Sequence, residues 1–102
     1  MLELRPNCEL CDRDLPVDSH LARICTYECT FCADCVEQVL HNVCPNCGGG
    51  LVPRPLRPAR EHRPGVSRTH QPASGKRVMT RFSREEIEAF CKPLAGYSPE
   101  ER

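Results

Sequence analysis

Nine cysteines stand in 102 residues, and eight of them fall between positions 8 and 47. Cys8, Cys11, Cys25, Cys29, Cys32, Cys35, Cys44 and Cys47 follow the spacing C-x2-C-x13-C-x3-C-x2-C-x2-C-x8-C-x2-C. Thiols at this density either crosslink the chain or hold metal. Crosslinking requires an oxidising compartment, and the start MLELRPNCEL lacks the basic stretch and apolar run of a secretory signal. No window approaches the ~18 apolar residues of a membrane span. The expected setting is cytoplasmic and reducing, where paired cysteines more often bind metal. Cys-x-x-Cys at 8/11, 32/35 and 44/47 is also the spacing at which a turn aims two thiolates at one ion.

Thiolate-only tetrahedral sites suit zinc or iron. Positions 29, 32 and 35 read C-x2-C-x2-C, close to runs that hold iron–sulfur clusters. The symmetrical pairs at either end instead suit two four-ligand sites, which eight cysteines fill with none left over. Zinc, two ions per chain, is the expected cofactor. It also accounts for how residues 1–52 fold at all. Their large apolar side chains are few, and domains this small usually need metals or disulfides. A structural zinc contributes roughly 10–16 kcal/mol, as much as the whole stability of a small domain.

The division of the eight thiols is open at this level. Only two residues separate the pair Cys25/Cys29 from the pair Cys32/Cys35. The four pairs could serve their ions sequentially or interleaved, and loop-closure entropy favours the sequential order by only fractions of a kcal/mol.

The cysteine register resembles the ligand pattern of RING fingers. Leu10 precedes the second ligand position, Phe31 precedes the fifth, and Pro45 sits inside the last pair. Between the third and fourth pairs, ADCVEQVLHN (33–42) spaces Val36, Val39 and Leu40 for a short inward-facing helix, where RING fingers have theirs. The resemblance covers residues 8–47 and implies an interleaved brace. Cys8, Cys11, Cys32 and Cys35 would hold one ion, and Cys25, Cys29, Cys44 and Cys47 the other. The pattern departs from ubiquitin-ligase RING fingers at three points. Cys29 replaces the usual histidine, Gly48 replaces the usual basic residue after the last ligand, and the chain has no tryptophan. The opening MLELRPNCELCDRDLP, with CTFCADC and CPNCGG, further resembles domain-of-unknown-function family 1272, small bacterial cysteine-rich proteins, over residues 1 to about 58. That likeness implies a bacterial zinc-binding module and supplies no activity.

Beyond the head, the chemistry changes. Residues 53–81 are rich in Pro, Arg, Gly and Ser, a composition expected of a flexible linker. Arg54, Arg57, Arg60 and Arg63 recur every third residue, which in a polyproline II helix aligns four guanidinium groups on one edge. Charge divides accordingly. Residues 1–50 carry three arginines against eight acids, a net of −5, whereas residues 51–84 carry nine basic residues against Glu61, a net of +8. An acidic head is a poor nucleic-acid binder, so only weak, non-specific binding through residues 53–84 is expected. The tail could also lie against its own head.

Residues 82–102 carry a helix signal. Ser83 and Glu86 form a capping box, with Phe82 and Ile87 as a hydrophobic staple. Ile87, Phe90, Cys91 and Leu94 make an apolar stripe, and Pro93 is expected to end the helix near Lys92. Cys91 reads as a small apolar contact. His20, His41, His62 and His70 have no partner placed for nucleophilic catalysis.

The expected fold class is a small metal-stabilised α+β protein. A RING-like two-zinc cross-brace with one short central helix (1–52) is followed by a disordered linker (53–81) and a short C-terminal helix (82–102). The expected role is a non-enzymatic protein-interaction or adaptor module with an unidentified protein partner and no membrane. The alternatives are a nucleic-acid-associated zinc protein and a ubiquitin-ligase-like or thiol redox/metal-handling protein.

Overall fold

A computed structural model describes residues 1–102. Three short strands form an antiparallel sheet in the order β2–β1–β3: β1 at Ala22–Ile24, β2 at Thr30–Cys32 and β3 at Val52–Pro53. Ala22 pairs with Cys32 and Ile24 with Thr30, so β1 and β2 make a hairpin closed by residues 25–29. Glu28 takes the left-handed backbone that this tight turn demands, with φ of 68°. Pro53 opposes Arg23 on the edge strand, where a missing N–H is tolerated.

The chain leaves β2 directly into helix α1, Ala33–Cys35, which widens into a π-helical stretch over Val36–Leu40. The expected central helix is therefore present but wider in its second half. It stops at His41 and Asn42, both left-handed, with φ of 50° and 62°. Leu40 is fully buried with Leu15, Phe31 and Val43, while Val36 and Val39 are half-buried against this core. The cysteines themselves make up much of the remaining interior.

Helix α2, Arg84–Leu94, carries the expected capping box. Glu86 N–H donates to Ser83 Oγ at 3.2 Å, and Ser83 N–H donates to Glu86 Oε1 at 2.9 Å. It runs two residues past its expected end at Lys92. Pro93 falls in the last turn, where the bond it forfeits is one of the final ones, and Ala95 N–H still closes onto Cys91 O at 2.9 Å. The stripe is covered by the head. Ile87 and Cys91 are each 1% exposed, and Cys91 Sγ lies 3.6 Å from Val43 O. Gly48 shows why a larger residue is missing after the last cysteine pair. Its φ is +82°, and a Cβ there would stand 3.3 Å from Leu94 and 3.6 Å from Phe90.

Residues 54–81, expected as a flexible linker, carry no helix or strand, and they lie along the head instead of away from it. The four arginines at period three do not form one strip. Arg54 is 4% exposed and donates to Arg5 O at 2.8 Å, Leu15 O at 3.3 Å and Pro16 O at 3.1 Å. Arg57 donates to Gln71 O at 2.6 Å and Leu2 O at 2.8 Å, while Arg60 and Arg63 face solvent. Backbone carbonyl acceptors, not a shared helical edge, decide where the Arg54 and Arg57 guanidinium groups go.

Arg54 ties the β3 exit to residues 5, 15 and 16, so its loss leaves three carbonyls short of a donor. Arg54→Ala is expected to lower unfolding free energy by about 2–3 kcal/mol, the scale of hydrogen bonds from a charged donor. Arg60→Ala should change it by less than about 0.5 kcal/mol. Urea unfolding of the metal-loaded chain measures both, and equal effects would contradict the assignment.

Candidate metal centres

The first and last cysteine pairs are each presented by a tight turn, Cys25 and Cys29 bracket the hairpin tip, and Cys32 and Cys35 stand where β2 passes into α1. Around the first, Asp12 N–H donates to Cys8 O at 2.9 Å, Cys8 N–H donates to Arg13 O at 2.8 Å, and Asp12 has a φ of 64°. The last pair repeats this pattern. Gly48 N–H donates to Cys44 O at 2.8 Å, Cys44 N–H donates to Gly49 O at 2.8 Å, and Gly48 is likewise left-handed. These are two knuckles of one design. The turns also aim N–H groups at sulfur: Tyr27 N–H reaches Cys25 Sγ at 3.3 Å and Gly49 N–H reaches Cys47 Sγ at 3.4 Å. Such donors favour thiolate over thiol.

The hairpin settles which pairs meet. Cys25 and Cys29 bracket its tip, whereas Cys32 sits at its open end opposite Ala22. An extended strand advances about 3.3 Å per residue, so Cys29 and Cys32 are held roughly 10 Å apart along it. Sequence neighbours thus go to opposite ends of the hairpin, and each end meets one knuckle. The sulfurs of Cys8, Cys11, Cys32 and Cys35 lie within 4.8 Å of one another. Those of Cys25, Cys44 and Cys47 do the same. The grouping is the interleaved one. Cys29 falls outside the second mutual set, although its thiol faces those of Cys44 and Cys25 and the side chain of Asn46.

Cys11 Sγ and Cys32 Sγ are 3.8 Å apart. A tetrahedron with Zn–S bonds of 2.3 Å has edges of about 3.8 Å, so this pair already stands at the spacing of a tetrahedral thiolate site, and the other sulfurs of the group lie within 4.8 Å. The electrostatics agree. Burial, aided by the neighbouring Cys8 and Cys32, pushes the Cys35 thiol well above its ordinary range. Contact with Cys29, then burial, does the same to Cys44, and burial lifts Cys25 to about 11. Cys29 is brought down to about 5 by Cys44, with help from Asn46, Cys25 and Arg5. Without a cation, negative charge therefore concentrates on few sulfurs. A divalent ion supplies the positive charge that lets the rest ionise.

An ion pair between half-buried Arg5 and buried Glu9 sits where the two groups adjoin. Glu9 is 2% exposed and accepts from Arg5 Nη1 at 2.8 Å and from the Thr30 amide. Its own N–H returns a bond to Thr30 O at 2.9 Å, and Asn46 Nδ2 reaches its other oxygen at 3.5 Å. Burial pushes the Glu9 carboxyl up, against the pull of the Thr30 amide and Arg5. Glu9 thereby clips the first knuckle to the strand after Cys29 and to the last knuckle. Sequence reasoning missed Arg5, Glu9 and Asn46. Their only signal was an unusual acid between two cysteines of one pair.

Cys91 joins neither group. No helix is long and apolar enough to cross a membrane.

Comparison with known proteins places the chain. It is 71% identical over 59 residues to an uncharacterized protein of Rhizobium meliloti (strain 1021), an alignment covering 58% of this chain and 70% of the relative. No solved structure matches it. A family described as "Protein of unknown function (DUF1272)" matches residues 1–57, which include all eight clustered cysteines and Arg54. The chain belongs to the DUF1272 family.

Proposed function

We propose that the head is a RING-like module built on two structural zinc ions and that it serves as a protein-interaction or adaptor platform without catalytic activity. Cys8, Cys11, Cys32 and Cys35 hold the first ion. Cys25, Cys44 and Cys47 hold the second, with Cys29 completing its shell by the small approach that its contacts with Cys25 and Cys44 invite. The observation that carries this reading is the convergence of four sulfurs within 4.8 Å of one another, three of them on buried cysteines, with Cys11 and Cys32 at the 3.8 Å edge of a thiolate tetrahedron. Four thiolates per ion leave no open position for a substrate or an activated water, so the ions act as core rather than as catalyst. A nucleic-acid role through residues 53–84 is weakened because Arg54 and Arg57 are engaged by backbone carbonyls of this chain. A reducing intracellular setting suits the free thiols the reading requires.

Purified protein should contain two zinc ions per chain, and chelation should unfold the head. Cys32→Ser should lose at least one ion, whereas Cys91→Ser should keep both. Elemental analysis finding one ion, or iron with visible-range absorbance, would falsify the two-zinc reading.

Acid should release the metal, with a sign set by the thiols. An ordinary cysteine thiol is protonated at pH 7. Burial in the folded head pushes Cys25 and Cys35 further in that direction, and contact with Cys29 does so for Cys44. Zinc must displace their protons whether the metal-free head is folded or not. Zinc uptake at pH 7 is therefore expected to release protons, and loading should weaken steadily as pH falls. Indicator absorbance during zinc titration in weak buffer measures the release; uptake without acidification would contradict it.

A further inference from the structure

Residues 74–80 are seated on one face of the head by main-chain bonds at Ser74, Val78 and Thr80 and by the side chains of Arg77, Met79 and Thr80. Ser74 N–H donates to Leu4 O at 3.0 Å, and Thr80 N–H donates to Glu9 O at 2.8 Å. Between them Asn7 pairs with the peptide of Val78 in both directions. Asn7 Nδ2 donates to Val78 O at 2.8 Å, and Val78 N–H donates to Asn7 Oδ1 at 3.2 Å. The tail therefore runs parallel to residues 4–9, touching positions 4, 7 and 9 in turn. Thr80 Oγ1 donates to Asn46 Oδ1 at 3.0 Å, and one charged tail side chain meets two carboxylates. Arg77 Nη1 reaches Asp14 Oδ1 at 2.6 Å, and Arg77 Nη2 reaches Asp12 Oδ1 at 2.9 Å.

This is the division of labour found when a protein binds an extended peptide. Main-chain bonds hold the segment, and a pocket or charge selects a side chain. Asn7 is 0% exposed beneath the tail, and without a peptide there its amide loses three partners, Val78 O, Val78 N–H and Met79 Sδ. Arginine, moreover, fits a site made of two carboxylates better than lysine does, because its fork presents several donors at once. The surrounding head is acidic, with a net of −5 over residues 1–50.

We infer that Leu4, Asn7, Glu9, Asp12 and Asp14 form a groove for an extended peptide of a partner protein, with an arginine directly before the residue that pairs with Asn7. In this chain residues 74–80 fill the groove in cis. The inference rests on the reading of the head as a metal-held interaction module and names the class of partner it takes. A tethered segment competes at an effective concentration near the millimolar range, so a partner binds only the open fraction, and its apparent affinity falls in proportion.

The test uses the full zinc-loaded chain and a labelled peptide, ASGKRVMTRF, copied from residues 73–82, with binding read by fluorescence anisotropy. The wild-type chain should bind weakly. Arg77→Ala loosens the strap at an exposed side chain, and the variant chain should bind the peptide roughly fivefold more tightly, the scale of exposed ion pairs. Adding Asp12→Asn and Asp14→Asn should remove that gain, and a peptide with alanine in place of its first arginine should lose it too. Equal binding by wild type and Arg77→Ala, or a gain that survives loss of both aspartates, overturns the groove. Zinc is counted in the same samples. A missing gain at two ions per chain overturns the groove alone, whereas a wild-type chain without zinc overturns the metal reading and the groove with it.

Discussion

Crowding of ionisable sulfur governs this structure. Within each of two groups, mostly buried cysteine side chains approach one another at distances where several thiolates repel strongly unless a cation lies among them. Everything around the groups serves to hold them there. The left-handed turns at Asp12 and Gly48 fold the two knuckles, the Glu28 turn closes the hairpin, and Glu9 clips these parts together. The apolar side chains contribute a thin interior around Leu15, Phe31, Leu40 and Val43, to which α2 adds Ile87 and Cys91. In the proposed account, zinc supplies the cohesion that so thin an interior lacks.

That the clustered cysteines would converge was legible because cysteine is rare and its pair spacing reflects turn geometry directly, and seven of the eight fall into two close sulfur groups. The partition was not legible from spacing. Cys29 and Cys32 are two residues from sharing a turn, and only the extended run Thr30–Cys32 sends them to opposite ends of a hairpin. The RING resemblance anticipated that arrangement. The central helix was readable from Val36, Val39 and Leu40, but not its widening into a π turn, for which spacing of apolar residues carries no signal.

The tail was harder. Its composition indicated the absence of regular elements and nothing about where it would lie. Arginine every third residue matched a polyproline period, yet Arg54 became a buried donor to three carbonyls, because tertiary acceptors outweigh a weak local preference. Likewise, Arg5 and Glu9 stand four apart in sequence but meet outside any helix, around a strand that periodicity does not predict. The division into an acidic head and a basic tail was plain in the sequence, and it becomes physical contact where Arg77 meets Asp12 and Asp14.

Zinc-edge X-ray absorption on the purified chain tests the central claim most directly. The account predicts four sulfur neighbours per zinc at about 2.3 Å, averaged over both ions, with no nitrogen or oxygen in the first shell. Cys29 makes this decisive, since its sulfur is the one that must move in to complete the second tetrahedron. A first shell containing oxygen or nitrogen, or fewer than four sulfurs, would contradict the account.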